Sequence, residues 1–162
     1  MGTRVVAVDG PGGAGKSTLA ARIADALGGA QVAHTDDFAS WEVPLDWWPR
    51  LRDELLEPLA RNEPARYRCT DWTGQGVERY ETIRPADVVL LEGVSASRSA
   101  FRPYLAYAIW VETPRDARLA RGLARDGEDA RPLWERWMAE EDEYVARERP
   151  HERADAVVSG LA

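Results

Sequence analysis

Residues 10–18, Gly10-Pro11-Gly12-Gly13-Ala14-Gly15-Lys16-Ser17-Thr18, constrain this chain more than any other segment. They fit the pattern G-x-x-x-x-G-K-[ST], in which glycine-permitted turns let successive backbone N–H groups converge on a phosphate. The lysine reaches the outer phosphate oxygens as a flexible point charge, and the serine hydroxyl faces a divalent cation. Of twenty-one basic residues Lys16 is the only lysine, the rest being arginine. The flanks supply the context this motif needs. Val5-Val6-Ala7-Val8 is a short β-branched run suited to a buried parallel strand. Ser17 to Leu27 contains no helix breaker, carries Leu19, Ile23 and Leu27 at four-residue spacing, and stops at Gly28-Gly29. Strand, loop and helix N-terminus together aim unpaired N–H groups and a positive dipole end at phosphate. The ligand this implies is a nucleoside triphosphate.

At 162 residues the chain reads as one domain with a single core. A net charge of -7 argues against nucleic acid or an anionic membrane as partner, although a local arginine cluster could hold a small anion. The single cysteine, Cys69, excludes an intrachain disulfide, and no Cys/His set has zinc spacing. A strand begins almost at once, without the apolar region of a signal peptide, and no apolar run reaches membrane-spanning length. The expected location is cytoplasmic. Seven tryptophans are many for this size and are expected mainly in the core or under loops.

Further along, Gln31 to Thr35 reads as a second strand ending at Asp36-Asp37. A helix is predicted from near Asp46 or Pro49 to about Asn62, with Leu51, Leu55, Leu56 and Leu59 on one face and Pro58 set to kink or end it. Residues 64–84 scatter Tyr67, Trp72 and Tyr80 around Gly74-Gln75-Gly76, as in two short strands or an extended flap. Asp87 to Gly93, Ala106 to Val111 and Ala156 to Val158 are predicted strands. Pro114 to about Asp126 and Leu133 to Arg147 are predicted helices, interrupted at Gly127. Strands alternating with helices imply a parallel sheet covered on both faces, which binds ligands at the carboxyl ends of its strands.

The polar residues just past strand ends are therefore the ones to weigh. Asp36 could accept or orient an acceptor's proton in phosphoryl transfer, or simply cap a turn. Asp37 points the other way under strand alternation and suits capping or support. Glu92 is either a water-mediated Mg²⁺ ligand or a strand terminator. Arg118, Arg121 and Arg125, at i, i+3 and i+7, share one helical face. They form either a solvated face paired with Asp116, Asp126 and Glu128, or a lid over migrating phosphate, with Gly122 and Gly127 as places to bend.

In this order and spacing the elements resemble the uridine kinase-like branch of small phosphate-loop kinases, relatives of the nucleoside monophosphate kinases, over nearly the whole chain. Asp9 to Thr18 resembles the family's loop, Thr35-Asp36-Asp37-Phe38 its Asp-x-Phe element, and Leu90-Leu91-Glu92-Gly93 its strand-Glu-Gly element. Arg118 to Asp126 resembles its lid helix, and Ala154 to Val158 its closing strand. Two departures are Ala39, where an aromatic is usual, and Gly122, where some members carry arginine. The resemblance implies a three-layer α/β phosphate-loop NTPase fold: a five-stranded parallel sheet of order 2-3-1-4-5 with helices on both faces. It implies one domain over 1–162, an acceptor-binding insert at about 40–84 and an arginine-bearing lid at about 118–132.

The resemblance also implies ATP and Mg²⁺. The nucleotide would be held by Gly10, Gly12, Gly13, Ala14, Gly15, Lys16, Ser17 and Thr18 with Arg118 and Arg121, and the metal would lie near Ser17, Glu92 and Asp36. Asp36 would serve as general base, with Lys16, Arg121 and Arg125 balancing charge and Arg118 and Arg131 assisting. The loop after the last strand would lie near the adenine. The implied sheet order sets Glu92's strand beside the phosphate loop and Asp36's one further out. Two spacings of about 4.8 Å leave roughly 10 Å for an acceptor hydroxyl. The expected activity is transfer of the γ-phosphoryl group of ATP to a hydroxyl of a small, nucleoside-like acceptor, with Trp41, Tyr67, Arg68, Asp71 and Trp72 as acceptor-pocket candidates. A kinase for another metabolite, vitamin or antibiotic and a non-catalytic ATP-binding module stay open. A guanine-specific switch is excluded, since its Asn-Lys-x-Asp motif needs a second lysine.

Overall fold

The computed structural model describes residues 2–161. Five strands form one parallel sheet: β1 (Arg4–Asp9), β2 (Gln31–His34), β5 (Val88–Glu92), β6 (Leu105–Glu112) and β7 (Ala156–Ser159), in the order β2-β5-β1-β6-β7. Renumbered along the sheet's own strands, this is the expected 2-3-1-4-5. The remaining two strands, β3 (Ala65–Arg68) and β4 (Tyr80–Ile83), pair antiparallel as a separate hairpin. The aromatic stretch 64–84 is therefore two strands around a turn.

Alternation along the strands splits the core into two layers. Val5, Ala7, Ala33, Val89 and Leu91 face a cluster with Phe38, Leu51, Leu55, Leu59, Tyr67 and Phe101. Val8, Leu90 and Val111 face the other way onto Ala14, Ala20 and Ala24 of the phosphate loop and α1 (Lys16–Ala26). Small residues on α1 let it lie close to the sheet.

The predicted second helix runs over 48–60, but not as a regular α-helix. Its ends are α2 (Trp48–Leu51) and α3 (Glu57–Ala60), joined by a π-turn over Arg52–Leu56 in which the Glu57 N–H bonds the Arg52 carbonyl. Pro58 accounts for this, because its ring would clash with the carbonyl four residues back and it offers no N–H of its own. The proline bulges the helix without ending it. Next come α4 (Arg115–Asp126) and α5 (Arg131–Glu148), then a short α6 (Pro150–Arg153) before β7. Among the described residues no helix is long and apolar enough to cross a membrane.

Candidate active site

A cavity of about 930 Å³ opens at the carboxyl ends of the strands. Its floor is the phosphate loop. Gly13 (φ +76°) and Gly15 (φ +101°) take left-handed backbone there, and a Cβ on Gly13 would press on the Arg118 carbonyl. Gly12, Gly13, Gly15, Lys16, Ser17 and Thr18 line the cavity, whereas Gly10 and Ala14 are buried beneath it. The Lys16 Nζ donates to the Pro11 carbonyl at 2.8 Å, at the outer end of the loop. Beneath the loop the Asp9 carboxyl is fully buried and accepts from the N–H groups of Gly10, Ser95 and Ser97 and the hydroxyls of Ser97 and Tyr144. Asp9 thus pins the end of β1 to the loop after β5 and to α5.

Strand register builds the acidic side. His34 of β2 stands opposite Glu92 of β5, and Val8 of β1 stands opposite Glu92 on its other flank. The Ser17 hydroxyl donates to Glu92 Oε1 at 3.2 Å, and His34 Nδ1 lies 2.6 Å from Glu92 Oε2. Burial pushes the Glu92 carboxyl up, but the His34 hydrogen bond, Lys16 and Ser17 outweigh it and hold the group below its ordinary value. The hydrogen bond to Glu92 raises the His34 pKa. His34 went unassigned in the sequence, although its place at a strand end two residues before Asp36 was a signal. Hard oxygen donors at Ser17 and Glu92, beside a loop built for phosphate, fit a magnesium ion that takes its remaining ligands from phosphate and water.

Asp36 sits one turn past β2 in a 3₁₀ segment, Thr35–Asp37, and lines the same cavity. Its surface is open to the cavity, yet loss of water around the carboxyl raises it above the ordinary value, against the pull of Lys16, and repulsion from Glu92 adds to the rise. Asp37 points inward, but the 3₁₀ turn sets its direction and not strand alternation, since the strand ends at His34. It is buried, its carboxylate accepts from Arg79, and its carbonyl accepts from Thr70, so it anchors the hairpin.

Of the arginines expected in a lid, Arg121 and Arg125 reach the cavity. Arg121 lines it and donates to the carbonyls of Gly13 (3.1 Å) and Gly160 (2.8 Å). Arg125 lines it while paired to Asp126 at 2.9 Å. Arg118, expected on the nucleotide, is buried instead, with its Nε donating to the Thr113 carbonyl at 3.0 Å. The helical rise is the reason: seven residues put Arg118 and Arg125 on one face but about 10 Å apart along the axis. Arg131 pairs with Glu128 at the surface and does not line the cavity. Gly122 is no bending point either. Trp134 of α5 packs so closely on it that a Cβ would stand 2.8 Å from the indole Cδ2 and nearer still to Cε2 and Cζ2.

The opposite wall is aromatic. Trp41 and Trp72, both about 40% exposed, meet Trp137 edge to face at centroid distances of 5.3–6.5 Å, and all three line the cavity with Trp134. The Trp72 Nε1 donates to the Asp36 carbonyl at 2.9 Å. The other acceptor-pocket candidates lie elsewhere. Tyr67 is core, tilted on Phe38 at 4.6 Å, and Arg68 is an exposed strand residue. Asp71 folds the hairpin turn by accepting from the N–H groups of Thr73, Gly76 and Val77. Besides His34, sequence reasoning missed Arg22, Trp134 and Trp137 on the cavity wall, and Glu141 behind it.

With the sheet order, loop and cavity in view, comparison with solved structures is decisive for architecture. A possible uridine kinase from Bacillus stearothermophilus superposes with a TM-score of 0.74 at 22% identity, over 98% of this chain and 89% of that one. The chain has the fold of the uridine kinase-like phosphate-loop kinases. A protein of Silicibacter sp. TM1040, provisionally described as a fructose transport system kinase, shares this fold at TM-score 0.70 and 21% identity, over 96% of this chain and 89% of that one. In sequence the chain is similar to cytidylate kinases of Neisseria gonorrhoeae and Neisseria meningitidis serogroup C, each 32% identical over 132 residues, or 78% of this chain. It spans 56% of the length of these relatives. No family model matches the chain.

Proposed function

We propose that the chain is an ATP-dependent phosphotransferase that moves a γ-phosphoryl group to a hydroxyl of a small, uncharged, planar acceptor such as a nucleoside. One observation carries this reading: the Lys16 loop, the Ser17–Glu92 pair and the Asp36 carboxylate line one cavity that also has a wall of indole rings. ATP would lie with its phosphates on the loop and its base toward Val158, Ser159 and Gly160. The acceptor would lie between Asp36 and the tryptophans. Asp36 would take the hydroxyl proton as the acceptor oxygen bonds to phosphorus and ADP leaves, and its raised pKa brings it nearer the value a base needs at neutral pH. Lys16, Arg121 and Arg125 would offset charge on the migrating group. Ser17 and Glu92, with Asp36 nearby, would hold Mg²⁺, which when bound neutralises phosphate charge.

The similarity to cytidylate kinases raises a second reading, an acceptor that already carries a phosphate. Against it, the cavity's basic residues are Lys16, Arg22, Arg121 and Arg125, from the loop, α1 and α4, and none comes from the segment bearing Trp41 and Trp72. The test is ATP consumption with nucleosides, their monophosphates and other small alcohols, with product read by mass. Asp36→Asn is expected to bind ATP normally and to lose about 10²–10⁴ in turnover. Normal turnover in that variant removes Asp36 from the mechanism.

A further inference from the structure

Glu141 lies in the middle of α5, 2% exposed, where a carboxylate is costly unless it has a task. Its Oε2 accepts from two donors: the Gly12 N–H of the phosphate loop at 2.7 Å and the Trp137 Nε1 at 3.0 Å. Its Oε1 is buried and has no partner. Lys16 and Arg118 are the cations near enough to stabilise its charge, yet burial prevails and pushes the carboxyl up. The peptide it grips is informative. The Pro11–Gly12 unit gives its carbonyl to Lys16 Nζ and its N–H to Glu141, so both ends of one peptide at the outer edge of the loop are occupied by side chains. Phosphate-loop lysine serves the β- and γ-phosphates, so a terminal phosphate arriving at Lys16 arrives at this peptide.

From Glu141 a continuous set of contacts leads to the candidate base. The Trp137 indole, held by Glu141, packs edge-on against Trp41 and Trp72, and Trp72 donates to the Asp36 carbonyl. We propose that Glu141 is a positioning residue that senses the third phosphate: it competes with a triphosphate's terminal group for the Gly12 amide and, through Trp137, passes the outcome to the indole wall and Asp36. A diphosphate, ending short of Lys16's outer reach, leaves the Glu141 bonds in place. A triphosphate sets a second anion against Glu141 in a water-poor pocket and loosens its hold on both Gly12 and Trp137. The acceptor wall then takes its working arrangement only when there is a phosphoryl group to transfer, which limits futile closure over ADP.

This rests on reading the cavity as a triphosphate site, and the experiment keeps the two apart. ADP and a non-hydrolysable triphosphate analogue are titrated calorimetrically into wild type and Glu141→Gln, with thermal unfolding as a fold control. Glutamine keeps the shape and an acceptor oxygen but not the charge. The ratio of triphosphate to diphosphate affinity is expected to rise roughly tenfold in Glu141→Gln, with ADP affinity little changed, because a like charge beside the terminal phosphate has gone. In wild type, tryptophan emission is expected to change with the triphosphate and not with ADP. That difference should vanish in Trp137→Phe, which keeps an aromatic ring in the wall but lacks the N–H. An unchanged ratio, or ADP and triphosphate affinities shifting together, makes Glu141 merely structural and overturns the proposal. So does wild-type emission that responds equally to both nucleotides. Failure of wild type to bind either nucleotide overturns the triphosphate site itself.

Discussion

Substituting Gly122 by alanine separates two views of the lid that differ in sign. Were Gly122 a hinge in a solvated helix, alanine would stabilise α4 by about 1 kcal/mol, the usual gain over glycine in a helix interior. In this protein the new methyl would stand 2.8 Å from Cδ2 of Trp134 and closer to two further ring atoms, where carbon contacts normally settle at about 3.5–4.0 Å. The ring cannot step aside freely. It is 5% exposed, and its Nε1 donates to Asp126 Oδ2 at 2.8 Å. Overpacking of this kind costs about 1–3 kcal/mol, so Gly122→Ala should destabilise by about 0–2 kcal/mol net. In a chain of this length that is a Tm loss of up to roughly 8 °C. In a Trp134→Leu background the clash is gone and the same change should stabilise by about 1 kcal/mol. Urea or thermal unfolding of the four proteins in the cycle measures the coupling, about 1–3 kcal/mol. Stabilisation by Gly122→Ala in the wild-type background would refute the seating of Trp134 and restore the hinge.

Two further outcomes follow from the acidic side and the indole wall. The His34–Glu92 pair has a folded His34 pKa above 6.5 and a folded Glu92 pKa below 4.5. Its stabilisation in EDTA should be full from about pH 4.5 to 6.5, fade as pH rises through the His34 value, and fade again as pH falls through the Glu92 value. A Tm difference between wild type and His34→Gln that grew between pH 6.5 and 8.5 would contradict the pair. Trp72→Phe removes the N–H given to the Asp36 carbonyl and keeps an aromatic face, so turnover should fall several-fold while ATP affinity stays within about twofold. An equal loss in both would mean that Trp72 supports the fold as a whole.

What could be read from the sequence was whatever has a local physical cause. The phosphate loop is legible because its glycines, lysine and serine act within nine residues, between a strand run and a helix whose patterns are equally local. The sheet follows from apolar runs that alternate with helices, and its register sets His34 opposite Glu92, which Ser17 meets from the start of α1, so the acidic side is nearly predictable. The arginines were only half legible: angular position on a helix follows from spacing, but the surface each side chain meets depends on where along the axis the neighbours end. That is why Arg121 reaches two loop carbonyls while Arg118 turns inward to Thr113. The local signature of Glu141 was faint. Read in line it is one more acid among Glu140, Asp142 and Glu143, although a wheel of α5 sets it on the face of Trp134, Met138 and Tyr144, and what buries it there is the return of that helix to a loop 129 positions earlier. The seven tryptophans obscured the indole wall in the same way, because composition predicts core, and a core residue differs from a wall residue only by the presence of a cavity. Four of the seven line one, at its contact with the phosphate loop, the lid and Asp36. The indole wall and the Glu141 contact in this chain therefore come from contacts between distant segments, laid over a phosphate-loop frame that is almost entirely local.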